Sequence, residues 1–158
     1  MESKDLLQEW LFRTRRSQLA HYECATYFAR LNFYLGIPVI VLSTVVGTSI
    51  FATLQKETNT SVRIAVGIAS VMAAVLAAIQ TFLRYSERAE KHRVIGAKYG
   101  AMRREIEQKI VFPPAEIEQY IESLRVRWDK FNEDCPTTPK RIWERIDTSI
   151  KSRITRPA

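Results

Sequence analysis

Charge is missing from two long stretches of this chain. Residues 31–55, LNFYLGIPVIVLSTVVGTSIFATLQ, contain 25 residues without Asp, Glu, Lys or Arg, and residues 64–83, IAVGIASVMAAVLAAIQTFL, contain 20. A surface helix of a soluble protein needs a polar face, so neither stretch fits one. A pump or secondary transporter usually places an ionisable residue at mid-membrane, and none occurs here. Cysteine is scarce. Cys24 and Cys135 are too few for a disulfide framework and lack the spacing of paired metal ligands, so both read as free thiols. Histidine is as rare, with only His21 and His92. There is no HExxH, no GxSxG and no phosphate-cradling glycine loop. The chain therefore reads as a non-enzyme that requires no cofactor and no metal.

What is present is segregated. A helix rises about 1.5 Å per residue, so 20 residues reach roughly 30 Å, the thickness of a bilayer's hydrocarbon core. Both uncharged runs meet that length. The predicted class is an all-α membrane protein: a two-transmembrane helical hairpin whose long second helix continues into a cytoplasmic helical bundle. Residues 1–30 form an amphipathic cytoplasmic helix and lack the pattern of a cleaved signal peptide. Residues 31–54 form the first span, 55–63 an outer loop and 64–83 the second span. Residues 84–158 form the cytoplasmic region, with a continuous helix over 84–112, a helix over 115–132 and a short helix over 140–151.

Basic residues set the orientation. Residues 1–30 carry five Lys and Arg, residues 84–158 carry seventeen, and the loop carries only Lys56 and Arg63. Cytoplasmic flanks are rich in Lys and Arg, so both termini are placed in the cytoplasm. The net charge of +7 is then mainly topogenic, or faces anionic lipid. In RREIEQK, residues 103–109, basic residues alternate with Glu, which argues against binding a nucleic acid polymer.

Within the spans, small residues recur at helical spacing. Ala65, Ala69, Ala73 and Ala77 form one row, with Ser70, Ala74 and Ala78 beside it; such rows let helices approach closely in lipid. The expectation is packing within the hairpin and between subunits of a homo-oligomer. Ser43, Thr44, Gly47 and Thr48 make a narrow hydroxyl-and-glycine strip on the first span. It reads as interhelical packing or as the weakly polar lining of a pore, which two helices alone cannot enclose. Gly36 and Pro38 mark an expected joint between the amphipathic segment and the span.

Beyond Arg84, Tyr85, His92, Tyr99 and Ile106 recur every seven residues, with Ile95 and Met102 between them. This is a heptad-like seam for bundle packing. His92 reads as a hydrogen-bonded packing residue, with a catalytic or pH-sensing role as the alternative. Arg88, Lys91, Arg103 and Arg104 are candidate contacts for lipid phosphate. With no breaker before Phe112-Pro113-Pro114, residues 64–111 read as one helix of about 48 residues, roughly 70 Å long.

The helix after the second span, AEKHRVIGAKYGAMRREIE, with His92, Gly96 and Tyr99, resembles that of the SLATT family, two-transmembrane effector domains found beside nucleotide-signalling genes. The resemblance extends over about residues 5–155. It implies a bacterial inner-membrane protein that oligomerises and forms a pore or disrupts the membrane. The implied trigger is an oligonucleotide made by a partner nucleotidyltransferase in response to phage, read by this chain or by a sensor protein; on that implication Arg88, Lys91, Arg103 and Arg104 are candidate contacts for nucleotide phosphate. The outcome is arrest of the infected cell. The alternative is a non-conducting membrane-anchored helical scaffold that recruits a cytosolic partner.

Overall fold

The computed structural model describes residues 3–53 and 59–154 of the backbone, and the side chains of residues 3–50 and 59–150. It consists of five helices among these residues: α1 Ser3–Thr53, α2 Thr60–Leu83, α3 Tyr85–Val111, α4 Ile117–Glu133 and α5 Lys140–Ile154. No strand occurs among the described residues. The chain divides into two compact units. One comprises residues 27–88; the other comprises residues up to Thr26 together with those from Ala89 onward.

In the first unit, α1 and α2 carry the two uncharged runs. Both helices are long and apolar enough to cross a membrane, with none of the apolar window on α1 buried and 6% of that on α2. A core helix of a soluble protein would have this surface covered. Ile40, Val45, Ile64, Ile68 and Val71 instead stand at least half exposed. This outward apolar surface is what a bilayer covers. The two helices pack with Gly36 against Gln80: a Cβ on Gly36 would come within 3.2 Å of the Gln80 amide nitrogen.

α2 begins four residues before the charge-free run. Asn59 supplies the N-cap, its Oδ1 accepting from the Ser61 N–H at 3.2 Å. The cap satisfies one of the orphan donors at a helix start. Residues 54–58, which include 55–58 of the expected outer loop, lie outside the described residues.

Two boundaries differ from the sequence expectation. At Gly36 and Pro38, the expected joint, the helix is not interrupted, and α1 runs through Pro38 from Ser3 to Thr53. Proline removes one helical donor, and the flanking turns carry the helix past it. The separate segments 1–30 and 31–54 are therefore one element. Conversely, the expected continuous helix from residue 64 to 111 is two helices, α2 and α3. Arg84 interrupts it with φ 48° and ψ 41°, the left-handed conformation. Its N–H still donates to the Gln80 carbonyl at 3.2 Å, and its own carbonyl accepts from Arg88 at 3.1 Å. The break is thus one residue wide.

The second unit is a bundle. Leu7, Trp10, Ile106 and Leu124 form its buried core, with Met102, Ile117, Ile121 and Trp128 packed around them. Leu7 and Trp10 come from α1, Ile106 from α3 and Leu124 from α4. Ile142 and Ile146 of α5 are also buried. Arg16 ties α1 to α5: its Nε lies 2.6 Å from Asp147 Oδ1, and its guanidinium sits over Trp143 at 4.8 Å.

Candidate functional site

The small-residue rows on α2 have different surroundings. Ala73 is buried and Ala69 and Ala77 are half-buried, whereas Ser70, Ala74 and Ala78 are exposed. Ala65, at the head of the first row, is exposed. Helical periodicity put these positions on adjacent faces, and only the face containing Ala73 is covered.

On α1, Ser43, Thr44 and Thr48 are exposed and Gly47 is half-buried with open space above its Cα. The hydroxyls are tied to their own helix. Thr44 Oγ1 donates to the Ile40 carbonyl at 2.8 Å, Thr48 Oγ1 to the Thr44 carbonyl at 2.9 Å, and the adjacent Ser49 Oγ to the Val45 carbonyl at 2.7 Å. Each threonine spends its proton on the backbone and leaves its oxygen outward as an acceptor. Such a strip offers oxygen atoms and no charge.

The seam residues fall in both units. Tyr85 belongs to the first, where it stacks on Phe28 with centroids 6.0 Å apart. His92, Ile95, Tyr99 and Ile106 are buried in the bundle, and Met102 is half-buried. His92 has a partner that local spacing could not indicate. Its Nδ1 lies 2.9 Å from His21 Nδ1, and both rings are nearly inaccessible to solvent. The His21 ring also stacks on Tyr99 at 5.6 Å. Tyr99 Oη donates to Asn132 Oδ1 at 2.7 Å.

Burial governs the protonation of this cluster. It lowers His21 to about 4, with His92 adding repulsion, and lowers His92 as well. Burial pushes Tyr99 up to about 12 and Cys24 up to about 11, and raises Cys135. All five groups are therefore neutral at pH 7, and neither thiol is activated as a nucleophile. Cys24 and Cys135 are free.

The four cations marked for phosphate contact are distributed over both units. Arg88 belongs to the first; Lys91, Arg103 and Arg104 belong to the bundle. Arg103 Nε lies 3.4 Å from Glu107 Oε1. Among the described residues, no group of three or more His, Cys, Asp or Glu is arranged to hold a metal ion.

Two exposed apolar helices, in a chain whose other unit is a helical bundle, define an all-helical membrane protein of the two-span class. Comparison with known families agrees with that class and narrows it. The profile of the SMODS and SLOG-associating 2TM effector domain family 4 matches residues 4–111. That is more than half of the chain, and the chain belongs to this family. The match includes α1, α2 and α3 and stops before α4, short of the residue-155 limit expected from the resemblance. No curated protein and no solved structure matches the chain. Membership makes it a membrane effector domain associated with nucleotide-signalling systems.

Proposed function

We infer that the chain is a bacterial inner-membrane effector of an anti-phage signalling system, and that copies assemble to form a pore or disrupt the membrane. The observation that carries this reading is the uncovered surface of the span unit. The acceptor-oxygen strip at Ser43, Thr44 and Thr48, and the row of Ser70, Ala74 and Ala78, both stand exposed. Among the described residues of one copy, no further span covers them. Packing of small residues from neighbouring copies is the usual way to bury such a row in lipid. A ring of copies would turn the oxygen strip toward a lumen. The excess of Lys and Arg in residues 1–30 and 84–158 supports a cytoplasmic position for both termini. The trigger is an oligonucleotide made by a partner nucleotidyltransferase.

The test is dye and ion leakage from liposomes containing purified protein, with the partner genes' products supplied. Leakage on signal supports the pore. No leakage under any signal nucleotide removes it.

A second reading is a non-conducting scaffold that recruits a cytosolic partner. It is favoured by the hydroxyl protons of Thr44, Thr48 and Ser49 being spent on their own helix. Substituting Gly47→Leu and Thr48→Leu separates the two readings. A pore loses toxicity, and a scaffold keeps it.

A further inference from the structure

One face of α1 changes chemistry along its length within the span unit. Tyr27, Arg30, Tyr34, Ile37 and Val41 follow one another at intervals of three and four, so they lie on one stripe. All five are exposed, Tyr34 at 70%. The stripe passes from an arginine set between two tyrosines to aliphatic side chains. From Arg30 to Val41 it covers roughly 16 Å, about half of a bilayer's hydrocarbon core.

The neighbouring chain segment adds positive charge at the same height. Phe28 stacks on Tyr85 with ring centroids 6.0 Å apart. Arg30, Arg84 and Arg88 each lie within three residues of that stack, hence within about 5 Å of it along the helix axes. Arg84 pairs with Glu87 at 2.6 Å. Arg30 and Arg88 are exposed, and neither side chain has a hydrogen bond or ion pair among the described residues. Three guanidiniums thus stand with one carboxylate at the height where the uncharged runs end.

We propose that this stripe binds an anionic phospholipid in the unassembled copy, with the phosphate on Arg30, the glycerol and ester groups beside Tyr34, and an acyl chain along Ile37 and Val41. Guanidinium holds phosphate through two parallel hydrogen bonds. Tyrosine suits the membrane interface because its ring is apolar and its hydroxyl bonds to polar lipid groups. The excess of positive charge selects a lipid of net negative charge over a zwitterionic one, whose ammonium it repels. The aliphatic half of the stripe selects a lipid over a free phosphate compound. Further along, the same stripe carries Thr44 and Thr48, so a lipid along this face and a lumen on it exclude each other. Assembly into a pore then requires the lipid to leave. That consequence rests on the effector reading above, whereas the site itself requires only the two spans.

Native mass spectrometry of the full chain released from detergent tests it, with dioleoyl phosphatidylglycerol, dioleoyl phosphatidylcholine and soluble glycerol phosphate as probes. A cation beside an anionic lipid surface is worth about fivefold in binding, so phosphatidylglycerol should be retained at least about fivefold over phosphatidylcholine. Arg30→Gln with Arg88→Gln should bring the two lipids level, with helicity by circular dichroism retained, and Arg30→Lys with Arg88→Lys should keep the preference. Lys4→Gln with Arg15→Gln, the same loss of charge placed in the bundle, should leave it intact. Tyr34→Trp should retain the lipid and Tyr34→Ser should weaken it. Equal retention of both lipids by the parent overturns the proposal. So does a preference that survives Arg30→Gln with Arg88→Gln, or one lost in the bundle variant, which would mark bulk charge alone. Displacement of the lipid by glycerol phosphate at equal concentration also overturns it, as the mark of a bare anion site. If the preference fails while leakage persists with the partner genes' products, only the lipid proposal falls. If the preference holds and leakage is absent, the pore falls and the lipid site stands.

Discussion

His21 on α1 and His92 on α3 face each other Nδ1 to Nδ1 at 2.9 Å inside the bundle, 71 positions apart in the chain. One ring must donate and the other accept, so at least one of the two imidazoles must be neutral with its Nδ1 bare. A second bound proton would put two N–H groups against each other.

This pair predicts acid sensitivity. Unfolded, each histidine titrates near 6.5; folded, His21 is lowered to about 4 and His92 is lowered too. Between these values the unfolded chain binds more protons, so stability rises with pH. It is complete above about 6.5 and is lost as pH falls toward 4. His21 alone accounts for roughly 3 kcal/mol across that window. Thermal unfolding in detergent between pH 7.5 and 4.5 should show the fall. The double substitution His21→Gln and His92→Gln should flatten it.

The crossing of α1 over α3 in the bundle depends on Gly96. A Cβ there would come 3.1 Å from the Tyr22 ring. Tyr22 is partly exposed, at 38%, so its ring can shift outward for a methyl group. Gly96→Ala should therefore change stability by less than about 0.5 kcal/mol, because better helix propensity offsets the contact. Gly96→Leu overpacks the crossing and should cost about 1–3 kcal/mol, read from the shift in unfolding midpoint.

Much of the bundle was legible because packing follows local period. The seven-residue spacing that singled out His92, Tyr99 and Ile106 found three residues that are buried. Trp10 and Trp128 lie on separate helices, and both pack at the core. What sequence reading missed depends on tertiary placement. Nothing near His21 signals a partner on α3. Pro38 and Arg84 show the same limit for backbone. A proline suggested a joint where the helix continues, and the break falls at an arginine with no glycine or proline beside it.

Arg84 should be a strained position. A left-handed residue with a Cβ costs roughly 1–2 kcal/mol, and glycine avoids that cost. The Arg84–Glu87 pair, at 2.6 Å and exposed, recovers little of it. Arg84→Gly should raise stability by about 0.5–1 kcal/mol, and the β-branched Arg84→Val should lower it by at least as much. Unfolding midpoints of both variants in one detergent check the sign. Equal destabilisation by both would contradict the strain.

The last expectation separates the two small-residue rows. Ala73 is buried within the span unit, whereas Ala74 and Ala78 are exposed. If copies pack through the exposed row, a bulky side chain there blocks close approach of a neighbouring backbone without disturbing the unit itself. Ala74→Leu with Ala78→Leu should reduce the oligomer to smaller species in detergent, read by light scattering, while thermal unfolding stays within a few degrees of the parent. Ala73→Leu should do the opposite, lowering the unfolding midpoint through overpacking at a cost of about 1–3 kcal/mol. An oligomer that survives both exposed-row substitutions would place the contact between copies elsewhere, on the Thr44 and Thr48 face of α1 or on the bundle.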